Sequence, residues 1–284
     1  MPPFRVGRPA WAARSWGRVG GEPVRLLRLS EPWGRLPIMS SLKAYREAAR
    51  EQDIPEHIID RALRLARPRI ELRPKGDSGA PVAGHYGGHP RLPPDVEWSG
   101  YPDLIASVDC AAVPVGELDI PLPQDGHLLF FADRRLPDWA PATAGRVVYV
   151  PAGTVTAERI PSGEHRRYTC EAFPLRGRLD WRMPGGDCNV IVEDEANSDL
   201  YEEHGLDLDR TVAGELTLGG YPCPTQSDPC SWPDEGDEAW ILLAQADYEF
   251  LDDPHTCAAY WLIRRGDLAA RNFDDVRTCE QSWM

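Results

Sequence analysis

From Ser40 the chain reads at helical spacing, with Leu42, Tyr45 and Ala49 on one face and Ser40 or Ser41 placed to cap. A second helix opens with Pro55 in its first turn and carries Ile58, Ala62 and Leu65 on one stripe, with Ile59, Leu63 and Ala66 beside them, until Pro68. The pair predicts a helical hairpin packed on something larger. After Arg69 the period changes to two, beginning with Ile70 and Leu72, and short apolar runs then alternate with Pro, Gly and Asp clusters as far as Cys279. Strands are expected over 104–109, 127–133, 146–151, 188–194, 239–247 and 257–264, a short helix over 267–273 and a last strand over 276–281. The fold class is therefore mainly β, a β-rich α+β chain with an N-terminal helical hairpin and a short C-terminal helix.

Two stretches share their punctuation. Gly87, Gly88, Pro90 and Trp98 precede a strand that ends at Asp109 and a second strand around Phe130 and Phe131. Gly219, Gly220, Pro222 and Trp232 precede a strand that ends at Asp247 and a second strand around Tyr260 and Trp261. A duplicated β unit explains the recurrence, because paired glycines allow positive φ at a tight turn, the proline fixes the exit and the tryptophan caps a core layer. The expected organisation is a basic extension over residues 1–38, disordered or mis-started, and one domain over 39–284 with related halves at about 69–150 and 188–284.

On these residues the chain resembles the YwqG-like bacterial proteins, a domain of unknown function. GGHPRLPPDVEW, LIASVDCAAVP, GHLLFFADRR, LGGYPCPTQSDP, LLAQAD and the closing RRGDLAARNFDDVRTCEQSW carry the resemblance in that order, over about residues 40–284. It implies a mainly-β fold with a helical N-terminal portion and no established activity. By analogy with members near toxin–immunity loci, it also implies an immunity or antagonist role.

Charge narrows the partner class. The total is −14, and seven Arg against Glu22 and Glu31 give residues 1–38 a charge of +5, which leaves −19 for residues 39–284. Such a chain repels nucleic acid and anionic membrane surfaces, so neither is expected as a partner. Eight carboxylates between Glu193 and Asp209, among them Glu193, Asp194, Glu195, Glu202 and Glu203, make an acidic loop suited to steering a basic protein partner or simply to solubility. Seven scattered cysteines without a C-x-x-C pair read as reduced, buried thiols of a cytoplasmic protein.

Candidate chemistry is sparse. Asp109 and Asp247 stand at matching strand ends, where they could share a cleft between the halves as a cation site or acid/base couple, or each cap a turn. His85 and His89 flank Gly87 and Gly88, so their spacing has no helix to bring them together, and neither metal nor cofactor is expected. Nucleophile-elbow, phosphate-loop and dinucleotide-binding motifs are missing from the sequence. The leading expectation is a non-catalytic protein-binding domain. The alternative is a hydrolase-like enzyme or a small-molecule or carbohydrate binder working through Asp109 and Asp247.

Overall fold

The computed structural model describes residues 42–74, 80–133, 145–161, 171–185, 188, 216–224, 226–231, 238–249 and 256–282. The basic extension over 1–38 and the strand expected over 188–194 lie outside the described residues, apart from Cys188. The hairpin forms as predicted: α1 (Leu42–Glu51) buries Tyr45, Ala48 and Ala49, and α2 (Glu56–Leu65) buries Ile58, Ile59 and Ala62. Arg46 ties the helices by reaching Glu56 at 2.6 Å and Asp60 at 2.5 Å. The joint apolar face packs on Met183, just beyond the end of a central strand. Pro68 forces the residue before it out of the helical region, so the chain turns straight from α2 into β1.

One antiparallel sheet of ten strands follows. In chain order the strands are β1 (Arg67–Arg73), β2 (Val82–Tyr86), β3 (Arg91–Leu92), β4 (Asp103–Asp109), β5 (His127–Ala132), β6 (Arg146–Val150), β7 (Ala157–Glu158), β8 (Phe173–Arg182), β9 (Leu216–Gly219), β10 (Trp240–Glu249), β11 (Thr256–Arg264) and β12 (Arg277–Ser282), with α3 (Arg265–Ala269) before the last. Their order across the sheet is β12-β11-β10-β9-β1-β8-β2-β4-β5-β6, and β3 pairs with β7 apart from it. Read from either end, the sheet runs through three successive strands to the strand that leads into a Gly-Gly turn, then to β1 or β8. β8 lies before the second half expected from the sequence at about 188–284, so the matching unit begins at Phe173 instead.

The register matches strand for strand. Tyr86 lies opposite Ala106 as Leu218 lies opposite Ala244, and the ladder slips at Ile105 in β4 as it slips at Leu243 in β10. This alignment puts Phe130 in the place of Trp261 and Phe131 in that of Leu262. The sequence sets Phe130 and Phe131 beside Tyr260 and Trp261, and the ladder shifts that correspondence by one residue.

The sheet rolls until its ends face each other. Phe130 of β5 meets Trp261 of β11 edge-on, 5.2 Å between centroids, and the indole Nε1 donates to the Phe131 carbonyl at 2.9 Å. The Asp133 backbone N–H donates to Glu280 at 3.2 Å, and Tyr86 reaches the Asp247 carbonyl at 3.4 Å. The main core fills the enclosed space with side chains from nine of the ten strands. Two smaller clusters lie on the outer faces: Leu92, Leu104, Leu129, Phe131 and Val150 on the first half, and Trp240, Leu242, Ala258, Tyr260, Leu262 and Cys279 on the second. Among the described residues no helix is long and apolar enough to cross a membrane.

The central ladder was only half legible. β1 was anticipated from Ile70 onward, but β8 was not, although Leu175, Gly177, Leu179 and Trp181 alternate with Arg176, Arg178, Asp180 and Arg182. Its inner face includes a glycine, required because a Cβ there would sit 2.9 Å from Val113, and its outer face is charged. An apolar-run search therefore passes over it.

Three outcomes test this packing. Trp261→Ala removes both the ring contact and the hydrogen bond, and should lower unfolding free energy by about 3–5 kcal/mol in urea titration. Gly84→Ala would drive a methyl group into the Ser107 carbonyl across the β2–β4 ladder, so it should fail to give a cooperative transition. Burial pushes the Cys110 thiol up to about 12, from about 8.5 in an unfolded chain. A raised thiol contributes stability fully present below its unfolded value and lost as pH rises toward the folded one. Stability should therefore decline above about pH 8.5, and Cys110→Ala should flatten that decline.

Candidate functional site

The first Gly-Gly turn builds a surface feature on the outside of the sheet. Gly87 and Gly88 have φ of 66° and 79°, which only glycine adopts without strain, and the Gly87 N–H closes the turn on the Ile105 carbonyl at 2.7 Å. Pro90 then directs the chain into β3, where Leu92 buries itself in the outer cluster and anchors the segment. β3 pairs with β7, and the Arg159 backbone N–H donates to the Pro90 carbonyl at 2.9 Å, so a strand about sixty residues away joins the same surface.

Beyond β3 the loop folds back over the sheet. Trp98 lies against Phe131, 6.2 Å between centroids, and its Nε1 donates to the Pro102 carbonyl at 2.8 Å. Tyr101 donates its hydroxyl to the buried Asp133 carboxylate at 2.5 Å. Arg159 donates to the carbonyls of Pro93 and Pro94, and Arg146 to that of Glu97. These bonds fix a shallow depression of about 430 Å³ bounded by Pro94, Val96, Trp98 and Tyr101, with Glu97, Ser99 and Arg159 at its polar side. Tyr101 is one of the few large apolar side chains left exposed among the described residues. The arrangement presents two aromatic rings held by hydrogen bonds beside one charge of each sign.

The second Gly-Gly turn does different work. Gly219 and Gly220 have φ of 67° and 72°, and a Cβ on Gly220 would stand 3.0 Å from that of Arg69. The turn therefore closes over the central strands. Pro222 is buried, the Cys223 N–H donates to the buried Gln245 at 2.8 Å, and Tyr260 donates to the Cys223 carbonyl at 2.7 Å. Trp232 lies outside the described residues, as do Glu193, Asp194, Glu195, Glu202 and Glu203.

Asp109 and Asp247 occupy matching ladder positions, opposite His127 and Ala258, but only Asp109 ends its strand, since β10 stays paired with β11 as far as Glu249. Each follows a residue of the main core, Val108 and Ala246, so each side chain leaves on the outer face of the sheet. The interior between the halves is filled with apolar side chains rather than open around this pair. The Asp109 carboxylate accepts from the Ala111 N–H at 3.0 Å and heads a 3-10 turn, the capping role its residue type favours.

Among the described residues no group of three His, Cys, Asp or Glu could hold a metal ion. Cys110, Cys188 and Cys279 are buried, Cys223 and Cys230 are half-buried, and none of these five is in a disulfide. Sequence reasoning singled out Trp98 but missed Tyr101 and Arg159. A Tyr before a Pro next to Trp98 was the available signal for the first. Nothing local marked Arg159, because only the β3–β7 pairing brings it there.

No curated protein matches the chain. The profile of a family described as a domain of unknown function (DUF1963) matches residues 85–281, from the last part of β2 to β12. The match spans most of the rolled sheet, including the loop that carries Trp98 and Tyr101, and on that coverage the chain belongs to the DUF1963 family.

Proposed function

We propose that this chain is a non-catalytic cytoplasmic binding domain that captures a basic protein partner. The observation that carries the reading is the depression of the first Gly-Gly loop, where Trp98 and Tyr101 are held by hydrogen bonds to Pro102 and Asp133 before any partner arrives. Aromatic side chains already fixed in place lose little freedom on binding, so more of their contact energy appears as affinity. The charge of −14, with acidic runs at 193–209 and 228–238, supports a basic partner through long-range attraction. An immunity-type antagonist of a cationic toxin, in keeping with the resemblance to YwqG-like proteins, is the most specific form of this reading. Tandem copying of one β unit accounts for the matched registers and for the different uses of its two Gly-Gly turns.

A second reading, capture of a small molecule or carbohydrate, is favoured by the same two rings beside Glu97 and Arg159, since sugars stack on exposed aromatic faces. It replaces a cleft built on Asp109 and Asp247 with the loop surface. Affinity capture by the full chain from its native cell separates the two readings. A basic protein should be retained at about 0.05 M salt and released by about 0.5 M. The Trp98→Ala/Tyr101→Ala variant should retain at least about tenfold less. Retention indifferent to both salt and the double substitution would overturn the protein-binding reading. Quenching of tryptophan fluorescence by a panel of free sugars, lost in the same variant, would establish the other.

A further inference from the structure

The outer face of β1 and β8 carries more positive charge than its own carboxylates neutralise. The register sets Arg73 opposite Arg176, Glu71 opposite Arg178, and Arg69 opposite Asp180. Side chains opposite each other share a face, so in these three pairs four guanidiniums meet two carboxylates, and the next pair along, Arg67 with Arg182, adds two more guanidiniums. Asp180 serves Arg69 at 2.9 Å. Glu71, fully buried, is shared by Arg69 at 2.7 Å, Arg178 at 2.9 Å and Arg73 at 3.3 Å. Arg176 bonds the neutral backbone carbonyl of Ala80 and has no carboxylate among the described residues. The Nε of Arg73 is buried and makes no hydrogen bond.

The deep end of this face is sealed, with Arg69 and Asp180 each 1% exposed, whereas Arg73 keeps 35% of its side chain exposed and Arg178 27%. The open end is thus a trio of arginines around one carboxylate, Glu71, whose Oε1 is ion-paired to Arg69 but makes no hydrogen bond, with two of the arginines directly opposed. Like charges opposite each other across a ladder repel, and planar guanidiniums with free N–H edges match the oxygens of a tetrahedral anion. Nothing in the binding surface described above contributes to this trio.

We propose that Arg73, Arg176 and Arg178 form an oxyanion site that takes a phosphate-type dianion, either the free ion or the phosphoryl group of a larger molecule. The ion would lie between the opposed Arg73 and Arg176, satisfy the unused N–H groups and relieve their repulsion.

Calorimetric titration of the full chain with inorganic phosphate tests the site, with sodium chloride at matched ionic strength as the control and phenyl phosphate as a second probe. Phosphate should give a saturable one-site isotherm that chloride does not. Arg176→Met should weaken it by at least about tenfold, and Arg176→Lys, which keeps charge but loses the fork, by a smaller factor. Tighter binding of phenyl phosphate than of phosphate would mark a phosphoryl group on a larger ligand, and the reverse order would mark the free ion. Heat matching the chloride control, or equal affinity in wild type and both variants, would overturn the proposal. The Lys variant keeps the test decisive where the Met variant does not fold.

Discussion

The β1–β8 ladder is the constraint on which the rest of the architecture depends. Each half contributes its opening strand to the middle of the sheet, and β1 then pairs with β9 while β8 pairs with β2. Neither half can complete its own sheet, because the strand that would cover its Gly-Gly strand belongs to the other. The two halves are therefore one folding problem. The ladder slips at Ile105 and Leu243 fall at matching places in β4 and β10, and bulges of this kind bend and twist a strand, in keeping with the contact of Phe130 with Trp261 across the interior.

The same ladder is chemically unusual. A central antiparallel pair with one face on the core normally turns its other face to water. Here the second face is also covered, by the Gly220 turn, yet it is built from Arg69, Glu71, Asp180 and Arg182 rather than apolar residues. Desolvation pushes the Asp180 carboxyl above the usual carboxylate range, opposed by Arg69. Buried charge of this sort adds little net stability, but leaving one partner alone costs about 3–5 kcal/mol. The network therefore penalises wrong register: a slip of one residue would put Arg69 and Asp180 into the apolar interior and break every pair at once.

The loops that cover the outer faces are built on this frame. A strand pair with apolar side chains on both faces needs a cover, and each Gly-Gly turn begins one. The first cover ends in rings held against the sheet with an edge left open. The second closes over the charged ladder and leaves Gly220 no room for a side chain. One local device thus yields an open depression with two held rings at one turn and a structural seal at the other.

The sequence by itself determined the helical hairpin, most strands of both halves and the Gly-Gly turns, since each follows from period, proline and glycine within a few residues. The match between LIASVD and LLAQAD was legible for the same reason. Only the tertiary structure decided that the halves exchange their opening strands, that β8 is central rather than loop, and that Phe130 corresponds to Trp261. It alone turned Asp109 and Asp247 outward and brought Arg159 to Trp98 and Arg73 to Arg176. Each of those outcomes depends on which strand lies beside which, and long-range pairing leaves no trace in local spacing.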